Sequence, residues 1–212
     1  MQQKNFPEAT QHLQQALAAD PASVRACLML GEIYFAQGQF QKALEQWRTA
    51  EDQNPWYLPL IGRQMWEAFL ALGQEQAGIE QLDKYCQQYP SIDLLMVLVN
   101  AVETTQGKSA AFDLLRAEVR KRPSLLGLDK LLEWQLAGAL EDERIQDLAL
   151  IRELIARHTQ RLERYRCQSC GFQAKQFYWQ CPGCAHWDSI VPRRSEELDF
   201  YPVAQDSKKA AA

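Results

Sequence analysis

Apolar residues recur along most of the chain at the three- and four-residue spacing of amphipathic helices, and prolines interrupt this pattern at regular distances. Pro21, Pro55, Pro90 and Pro123 are separated by 34, 35 and 33 residues. Each proline follows a helical segment and ends it, because proline has no N–H to donate to the helix. The regular spacing disfavours an irregular helical bundle and predicts a stack of similar helix pairs.

The clearest repeat runs from about Val24 to Pro55. Repeats of about 34 residues with two helices are tetratricopeptide repeats. We expect Gly31 and Ala43 to lie where the two helices approach closely, and Gly38 to form the turn between them. The positions that match the pattern are Leu30, Gly31, Tyr34, Ala43, Trp47, Ala50 and Pro55.

The repeat pattern weakens toward the carboxyl end. The unit that ends at Pro90 keeps Phe69, Gly78 and Leu82 but has Trp66 where a small residue is expected, and the unit that ends at Pro123 keeps only Ala111 and Leu115. Apolar residues beyond Pro123 predict two more helices, with a break at residues 138–142. The chain begins with a second helix, which indicates a shortened sequence. We therefore predict a mainly α fold, with a tetratricopeptide solenoid over residues 1–162.

Four cysteines form two CxxC pairs separated by ten residues, namely Cys167 with Cys170 and Cys181 with Cys184. Two such turns direct four thiolates at one ion, which predicts a tetrahedral site for iron or zinc. Four thiolates leave no coordination position for water or substrate, so we expect a structural role. The predicted module is rubredoxin-like or a zinc ribbon and covers residues 163–192, followed by a flexible tail over residues 193–212.

Local features of this module follow from its small size. We expect Gly171 and Gly183 to provide the backbone freedom of the turns. The connection between the pairs predicts a hairpin whose arms are residues 172–176 and 177–180. Two roles are open for the aromatic residues, either packing on the last helices or forming the module's own core: Tyr165, Phe172, Phe177, Tyr178, Trp179 and Trp187.

Charge and composition exclude several classes of protein. The net charge is −4, which gives the whole chain no general attraction to nucleic acid, although the segment from Arg152 to Arg194 has eight basic and three acidic residues. No leader or membrane-spanning run is evident, so we expect a soluble protein in the reducing cytoplasm. No catalytic motif is recognisable, and the chain is predicted not to be an enzyme.

Stacked helix pairs form a concave groove that typically binds peptides or folded proteins. In the clearest repeat, the first-helix positions expected to face this groove are Arg25, Leu28, Glu32, Phe35 and Ala36.

The succession of tetratricopeptide-like repeats, Tyr165-Arg-Cys167-x-x-Cys170-Gly-Phe172 and Tyr178-Trp179-Gln-Cys181-Pro-x-Cys184 resembles the lipopolysaccharide assembly protein B family of Gram-negative bacteria. This resemblance implies a cytoplasm-facing inner-membrane regulator that links the FtsH protease to the lipid A deacetylase LpxC. It also implies metal binding by Cys167, Cys170, Cys181 and Cys184. The family's membrane anchor has no counterpart in this sequence.

The leading hypothesis is therefore a regulatory adaptor with protein partners. The basic carboxyl-terminal segment could face anionic lipid head groups or an acidic protein surface. Two alternatives are nucleic-acid binding by the cysteine module and electron transfer by a rubredoxin-like iron site. The oligomeric state does not follow from the sequence.

Overall fold

The computed structural model describes residues 6–137, 143–161 and 164–194, and most of these residues are helical. Two compact units are present, residues 1–156 and 157–212. The α-helices are α1 (Phe6–Ala19), α2 (Val24–Ala36), α3 (Phe40–Gln53), α4 (Gly62–Ala71), α5 (Glu75–Gln88), α6 (Ile92–Gln106), α7 (Lys108–Lys121), α8 (Leu125–Leu136) and α9 (Glu143–Arg161), and a 3₁₀ helix covers Pro55–Leu60.

The four regularly spaced prolines end helices as predicted. Helices α1, α3, α5 and α7 each stop two residues before Pro21, Pro55, Pro90 or Pro123. The pairs α2 with α3, α4 with α5, and α6 with α7 pack against each other, and successive pairs are also in contact. The predicted fold class is confirmed: the chain is mainly α, with tetratricopeptide helix pairs followed by a four-cysteine module.

The interior of the clearest repeat depends on one small residue. A Cβ atom on Gly31 would lie 2.2 Å from Nε1 of Trp47, and Trp47 is fully buried. The same Nε1 donates a hydrogen bond of 3.4 Å to the carbonyl oxygen of Leu28. Ala43 is also fully buried. The predicted close approach of α2 and α3 is therefore present.

The weaker repeats keep the same packing positions. A Cβ atom on Gly78 would lie 2.9 Å from Cβ of Phe69, so α4 and α5 also approach too closely for a side chain at this position. Leu82, Ala111 and Leu115 are fully buried, and Trp66 is buried as well. The turns between paired helices use glycine in the left-handed conformation, with φ of 73° at Gly38, 67° at Gly73 and 93° at Gly107.

Polar contacts join the second helices of successive repeats. The Tyr85 hydroxyl on α5 donates a hydrogen bond of 2.6 Å to Oε2 of Glu51 on α3. Nζ of Lys84 lies 3.7 Å from the other carboxylate oxygen. Nη1 of Arg122 donates a hydrogen bond of 3.1 Å to the carbonyl oxygen of Cys86. Desolvation, together with the Glu51 carboxylate, raises the pKa of Tyr85 above its usual range, so this phenol stays protonated as a donor.

Helices α8 and α9 are the two helices predicted beyond Pro123. Arg152 of α9 joins them through Nε, 3.2 Å from Oδ1 of Asp129, and Nη2, 3.5 Å from Oε2 of Glu133. The predicted break at residues 138–142 lies outside the described residues. Of the predicted tail over residues 193–212, Arg193 and Arg194 are described and buried, and the part from residue 195 onward lies outside the described residues. Among the described residues, no helix combines the length and apolar character needed to cross a membrane.

Candidate metal centre

Each CxxC pair forms the turn of its own small hairpin. Strands β1 (Tyr165–Arg166) and β2 (Gln173–Ala174) pair in antiparallel fashion, with Arg166 opposite Gln173. A single bridge between Gln180 and Trp187 spans the second CxxC pair. Six residues lie between the paired positions in both cases. The predicted hairpin with arms 172–176 and 177–180 was wrong, because each cysteine turn pairs the segments on its own two sides.

The same two backbone hydrogen bonds close both turns. In each, the N–H of the first cysteine donates to the carbonyl five residues later, and the N–H four residues later donates back to that cysteine. The bonds are Cys167 N to Phe172 O (2.8 Å), Gly171 N to Cys167 O (3.0 Å), Cys181 N to His186 O (2.9 Å) and Ala185 N to Cys181 O (2.9 Å). The two halves of the site are therefore local copies of one motif.

The residue after each CxxC pair has a left-handed backbone. Gly171 has φ of 76° and Ala185 has φ of 58°. The prediction of backbone freedom is confirmed at Gly171 but was wrong at Gly183, which does not have positive φ. Instead, a Cβ atom on Gly183 would lie 3.2 Å from Cβ of Phe172, so a side chain there would crowd the Phe172 side chain.

The structure brings the four predicted cysteine sulfurs together. All four Sγ atoms lie within 4.8 Å of one another. The distances are 3.8 Å between Cys167 and Cys184 and 3.7 Å between Cys170 and Cys181. A regular tetrahedron of sulfurs around zinc, with Zn–S bonds of about 2.3 Å, has edges of roughly 3.8 Å. The donor set and its spacing therefore fit one tetrahedral thiolate-bound ion, and iron and zinc both satisfy this geometry.

The four thiols differ in burial and in their tendency to ionise. Cys167 and Cys181 are buried, Cys184 is half-buried and Cys170 is exposed. Desolvation opposes ionisation of Cys167, but hydrogen bonds with Ser189 and with backbone N–H groups outweigh it and lower its pKa to about 6. A hydrogen bond from the His186 N–H favours the Cys184 thiolate, yet desolvation and the neighbouring thiols raise its pKa to about 12. Full ionisation of the cluster therefore requires a bound cation.

Residues after the second CxxC pair support the first one. Ile190 is fully buried and pairs with Cys167 in a β-bridge. The N–H of Gln168 donates a hydrogen bond of 2.8 Å to the carbonyl of Ser189. Oγ of Ser189 lies 3.3 Å from Sγ of Cys167 and 3.1 Å from the carbonyl oxygen of His186, so its one proton can be donated to either, and donation to the sulfur favours the Cys167 thiolate. Sequence reasoning missed Ser189, because a serine five residues after a CxxC pair belongs to no recognisable motif.

Aromatic residues surround the cysteines. Tyr165, Phe172, Phe177 and Tyr178 pack against the buried core formed by Cys167, Cys181 and Ile190. The ring of Phe177 makes edge contacts with the rings of Tyr165 and Trp179, at centroid distances of 5.9 and 5.0 Å. For these residues, the packing agrees with the alternative in which the module forms its own core.

The residues predicted to bind a partner differ in exposure. Leu28 is only 2% exposed and forms part of the core. Arg25 and Phe35 are half-buried, and Phe35 packs against Phe40 and Trp47. Glu32 is exposed, although partial desolvation raises the pKa of its carboxyl. Ala36 is also exposed. Leu28 therefore offers almost no surface to a partner, and a binding role of the other positions stays a prediction.

Comparison with known proteins gives two family matches. Residues 1–55 match the tetratricopeptide repeat, and residues 165–192 match the rubredoxin metal binding domain. The chain is 28% identical over 182 residues to lipopolysaccharide assembly protein B of Escherichia coli K12, an alignment that covers 86% of this chain and 47% of the relative. Lipopolysaccharide assembly protein B of Haemophilus influenzae is 29% identical over 192 residues, covering 87% and 47%.

The chain spans about half the length of the curated relatives it matches. Among solved structures, the crystal structure of MamA aligns with 74% of this chain and 89% of its own chain, at 16% identity and a TM-score of 0.46, too distant to bear on function. The two lipopolysaccharide assembly proteins and the two family matches confirm the resemblance of this chain to the lipopolysaccharide assembly protein B family.

Proposed function

We propose that this chain is a regulatory adaptor in lipopolysaccharide assembly, built from a helical-repeat scaffold and a module that binds one metal ion. The observation that supports this proposal most strongly is the order of parts. Tetratricopeptide repeats and the four-cysteine module follow each other within an alignment to lipopolysaccharide assembly protein B that covers 86% of the chain. The name of the relatives indicates lipopolysaccharide assembly as the process, and the repeats form a surface suited to binding protein partners.

Cys167, Cys170, Cys181 and Cys184 are the proposed ligands of the ion. The sulfur separations of 3.7 and 3.8 Å support this assignment, because the site needs little rearrangement to accept a tetrahedral ion. The bound ion has all four positions filled by sulfur. Its role in the proposal is to stabilise the module, and the chain makes or breaks no bond in a substrate.

The proposed partners are the FtsH protease and the LpxC deacetylase. The adaptor binds one near the other on the cytoplasmic side of the inner membrane and thereby sets how fast the deacetylase is degraded. Support for this step comes from the family resemblance together with the repeat scaffold. The exposed or half-buried groove positions Arg25, Glu32 and Phe35 are the proposed contact residues on α2.

Capture from bacterial membranes tests the proposal. The metal-loaded chain is immobilised and exposed to detergent-solubilised inner membranes, and bound protease and deacetylase are measured with specific antibodies. We expect both to be retained by the unaltered chain and lost from the Cys181→Ser, Cys184→Ser double variant. A Cys27→Ala, Cys86→Ala double variant is the matched control, because it removes two buried thiols outside the metal site.

Two results would contradict the adaptor role. One is capture of neither protein by the metal-loaded chain. The other is equal capture by the variant without metal ligands and by the unaltered chain, which would mean that the metal-bound module is not needed for partner binding.

A further inference from the structure

The first cysteine hairpin has an apolar inner face and a basic outer face. Tyr165 packs against the cysteine core, and Ala174 opposite it is buried. Arg166 is exposed, because side chains alternate along a strand. Arg164 and Lys175 directly flank the last pair of the ladder, Tyr165 with Ala174, and both are exposed. Arg164, Arg166 and Lys175 together are called the outer basic face below.

Positive charge is concentrated in this module. Residues 164–194 contain five basic residues and one acidic residue, Asp188, whereas the whole chain has a net charge of −4. Arg193 and Arg194 are buried, so the exposed basic residues are the three of the outer basic face. Four thiolates around a divalent ion add two negative charges, but Cys167 and Cys181 are buried, and Cys167 lies on the same face of its strand as Tyr165, away from Arg166. The exposed side of the hairpin therefore keeps its positive charge when the ion is bound.

The arrangement of these cations is unfavourable for the hairpin by itself. Like charges close together on neighbouring strands destabilise a hairpin, and Arg164 and Lys175 flank the same end of this ladder. The two strands contain only two residues each, so few other contacts offset this repulsion. An anion between the two side chains removes the repulsion. We propose that the outer basic face binds the phosphate groups of an anionic lipid surface.

Two observations favour a lipid surface over nucleic acid. The outer basic face lies on a short two-stranded hairpin, and the aromatic ring of Tyr165 is on the other side of it, so no ring is available there for base stacking. Three cations contact only a few phosphates of a nucleic-acid duplex, whereas mobile anionic lipids can gather around them.

This inference is independent of the proposed adaptor role, because it uses only the charges of the hairpin. Vesicle sedimentation of the full metal-loaded chain tests it without the protease or the deacetylase. The chain is mixed with vesicles of phosphatidylglycerol and phosphatidylcholine, or of phosphatidylcholine alone. We expect salt-sensitive binding to the anionic vesicles and not to the zwitterionic ones.

Charge-reversal variants locate the binding surface. The triple variant Arg164→Glu, Arg166→Glu, Lys175→Glu should bind anionic vesicles at least a hundredfold more weakly, since each basic residue near the surface contributes roughly a fivefold gain. The matched control Arg63→Glu, Lys108→Glu, Arg120→Glu changes the net charge equally on exposed helical positions and should keep most of the binding. The Arg164→Lys, Arg166→Lys variant should also bind, because lipid phosphates require charge more than guanidinium geometry. Unchanged metal content shows that the module is folded in the triple variant, and an unchanged circular dichroism spectrum shows that the helices of the control are folded.

Four outcomes would overturn the proposal. The first is no binding of the unaltered chain to anionic vesicles. The second is an equal loss in the triple variant and its control, which would reduce the effect to net charge. The third is preferential binding of an oligonucleotide, which would identify a nucleic-acid surface. Displacement of the chain from the vesicles by inorganic phosphate, at the same phosphate concentration as the lipid, would likewise identify a single-phosphate site instead.

Discussion

Ala185 occupies the position after the second CxxC pair that Gly171 occupies after the first. Both have positive φ, and the surrounding hydrogen bonds are the same in the two turns. An alanine in this conformation brings its Cβ close to the following carbonyl oxygen, a cost of roughly 1–2 kcal/mol. The second turn is therefore the more strained half of the site.

Ala185→Gly should stabilise the metal-bound module. Glycine relieves the left-handed strain but loses more conformational entropy on folding, so we expect a net gain of about 0.5–1 kcal/mol. Titration against a chromogenic chelator measures this gain as a two- to fivefold tighter metal affinity, because binding and folding of such modules are coupled. Gly171→Ala should weaken the affinity. The control Ala174→Gly lies on a strand with ordinary φ and should weaken it too; tighter binding there would refute the explanation from φ.

Cys86 should be a poorly reactive thiol whose ionisation destabilises the native state at high pH. Desolvation, with smaller contributions from Asp83 and Glu118, raises its pKa from 9.0 to about 12. Between these values the unfolded chain has lost the proton and the native chain has kept it, so the free energy of unfolding falls as pH rises from about 9 to about 12. Denaturant titrations across this range should show a shallower decline for Cys86→Ala. An identical decline in both proteins would contradict the assignment.

Single residues differ in how far the sequence reveals them. The four cysteines could be found because CxxC spacing has one common chemical meaning. Leu28 could not be placed correctly, because helical periodicity gives a residue's face but not which neighbour covers that face. The positive φ of Ala185 could not be predicted either. It follows from the structural equivalence of Ala185 and Gly171 in the two turns, which only the folded structure shows.

At the scale of the elements, two helix pairs place a glycine against a large ring. Gly31 faces Trp47, and Gly78 faces Phe69. The glycine is on the first helix of one pair and on the second helix of the other, so the weaker repeat keeps the close contact with its residues exchanged. Burial by neighbouring repeats preserves this geometry even where the consensus residues have changed.

Gly31→Ala should destabilise the helical region by about 1–3 kcal/mol. The new methyl group would overlap the Trp47 indole at 2.2 Å and force the helices apart. Circular dichroism in urea measures the loss. In a Trp47→Leu background the smaller side chain leaves room, so the same substitution should cost much less. Equal costs in the two backgrounds would show that α2 and α3 do not meet at this contact.

Element boundaries at the prolines could be predicted, because proline acts through its own covalent structure. The strands of the cysteine module could not. Two strand pairings are compatible with the residues of this module. One pairs the arms of the ten-residue connection between the CxxC turns, and the other pairs the segments on the two sides of each turn. Only the hydrogen bonds of Cys167 and Cys181 with carbonyls five residues later select the second arrangement.

At the scale of the whole molecule, the two compact units rest on different interactions. Residues 1–156 have a large apolar core, whereas the small module has few buried residues besides its cysteines. A segment of this size buries too little apolar surface to be stable without a bound ion. We therefore expect metal removal to unfold the small module and heating to unfold the helical unit separately.

Removal of the metal should unfold the module and leave the helical repeats intact. A strong chelator, or the Cys181→Ser, Cys184→Ser variant, should abolish hydrogen-exchange protection at Gly171 and Ala185. Protection in α2 to α7 should remain. Elemental analysis gives the expected stoichiometry of one ion per chain in the unaltered protein. Simultaneous loss of protection in both units would show that the helices depend on the metal.

The six-residue loops of the two cysteine hairpins also bear on how fast the module folds. Each hairpin brings together residues that are near neighbours in the chain, so closing it costs little loop entropy and the contact order is low. Both halves can form transiently in microseconds, and the bound ion then stabilises them. The slow step is then the encounter with the ion, and the rate of folding should rise in proportion to the concentration of free metal.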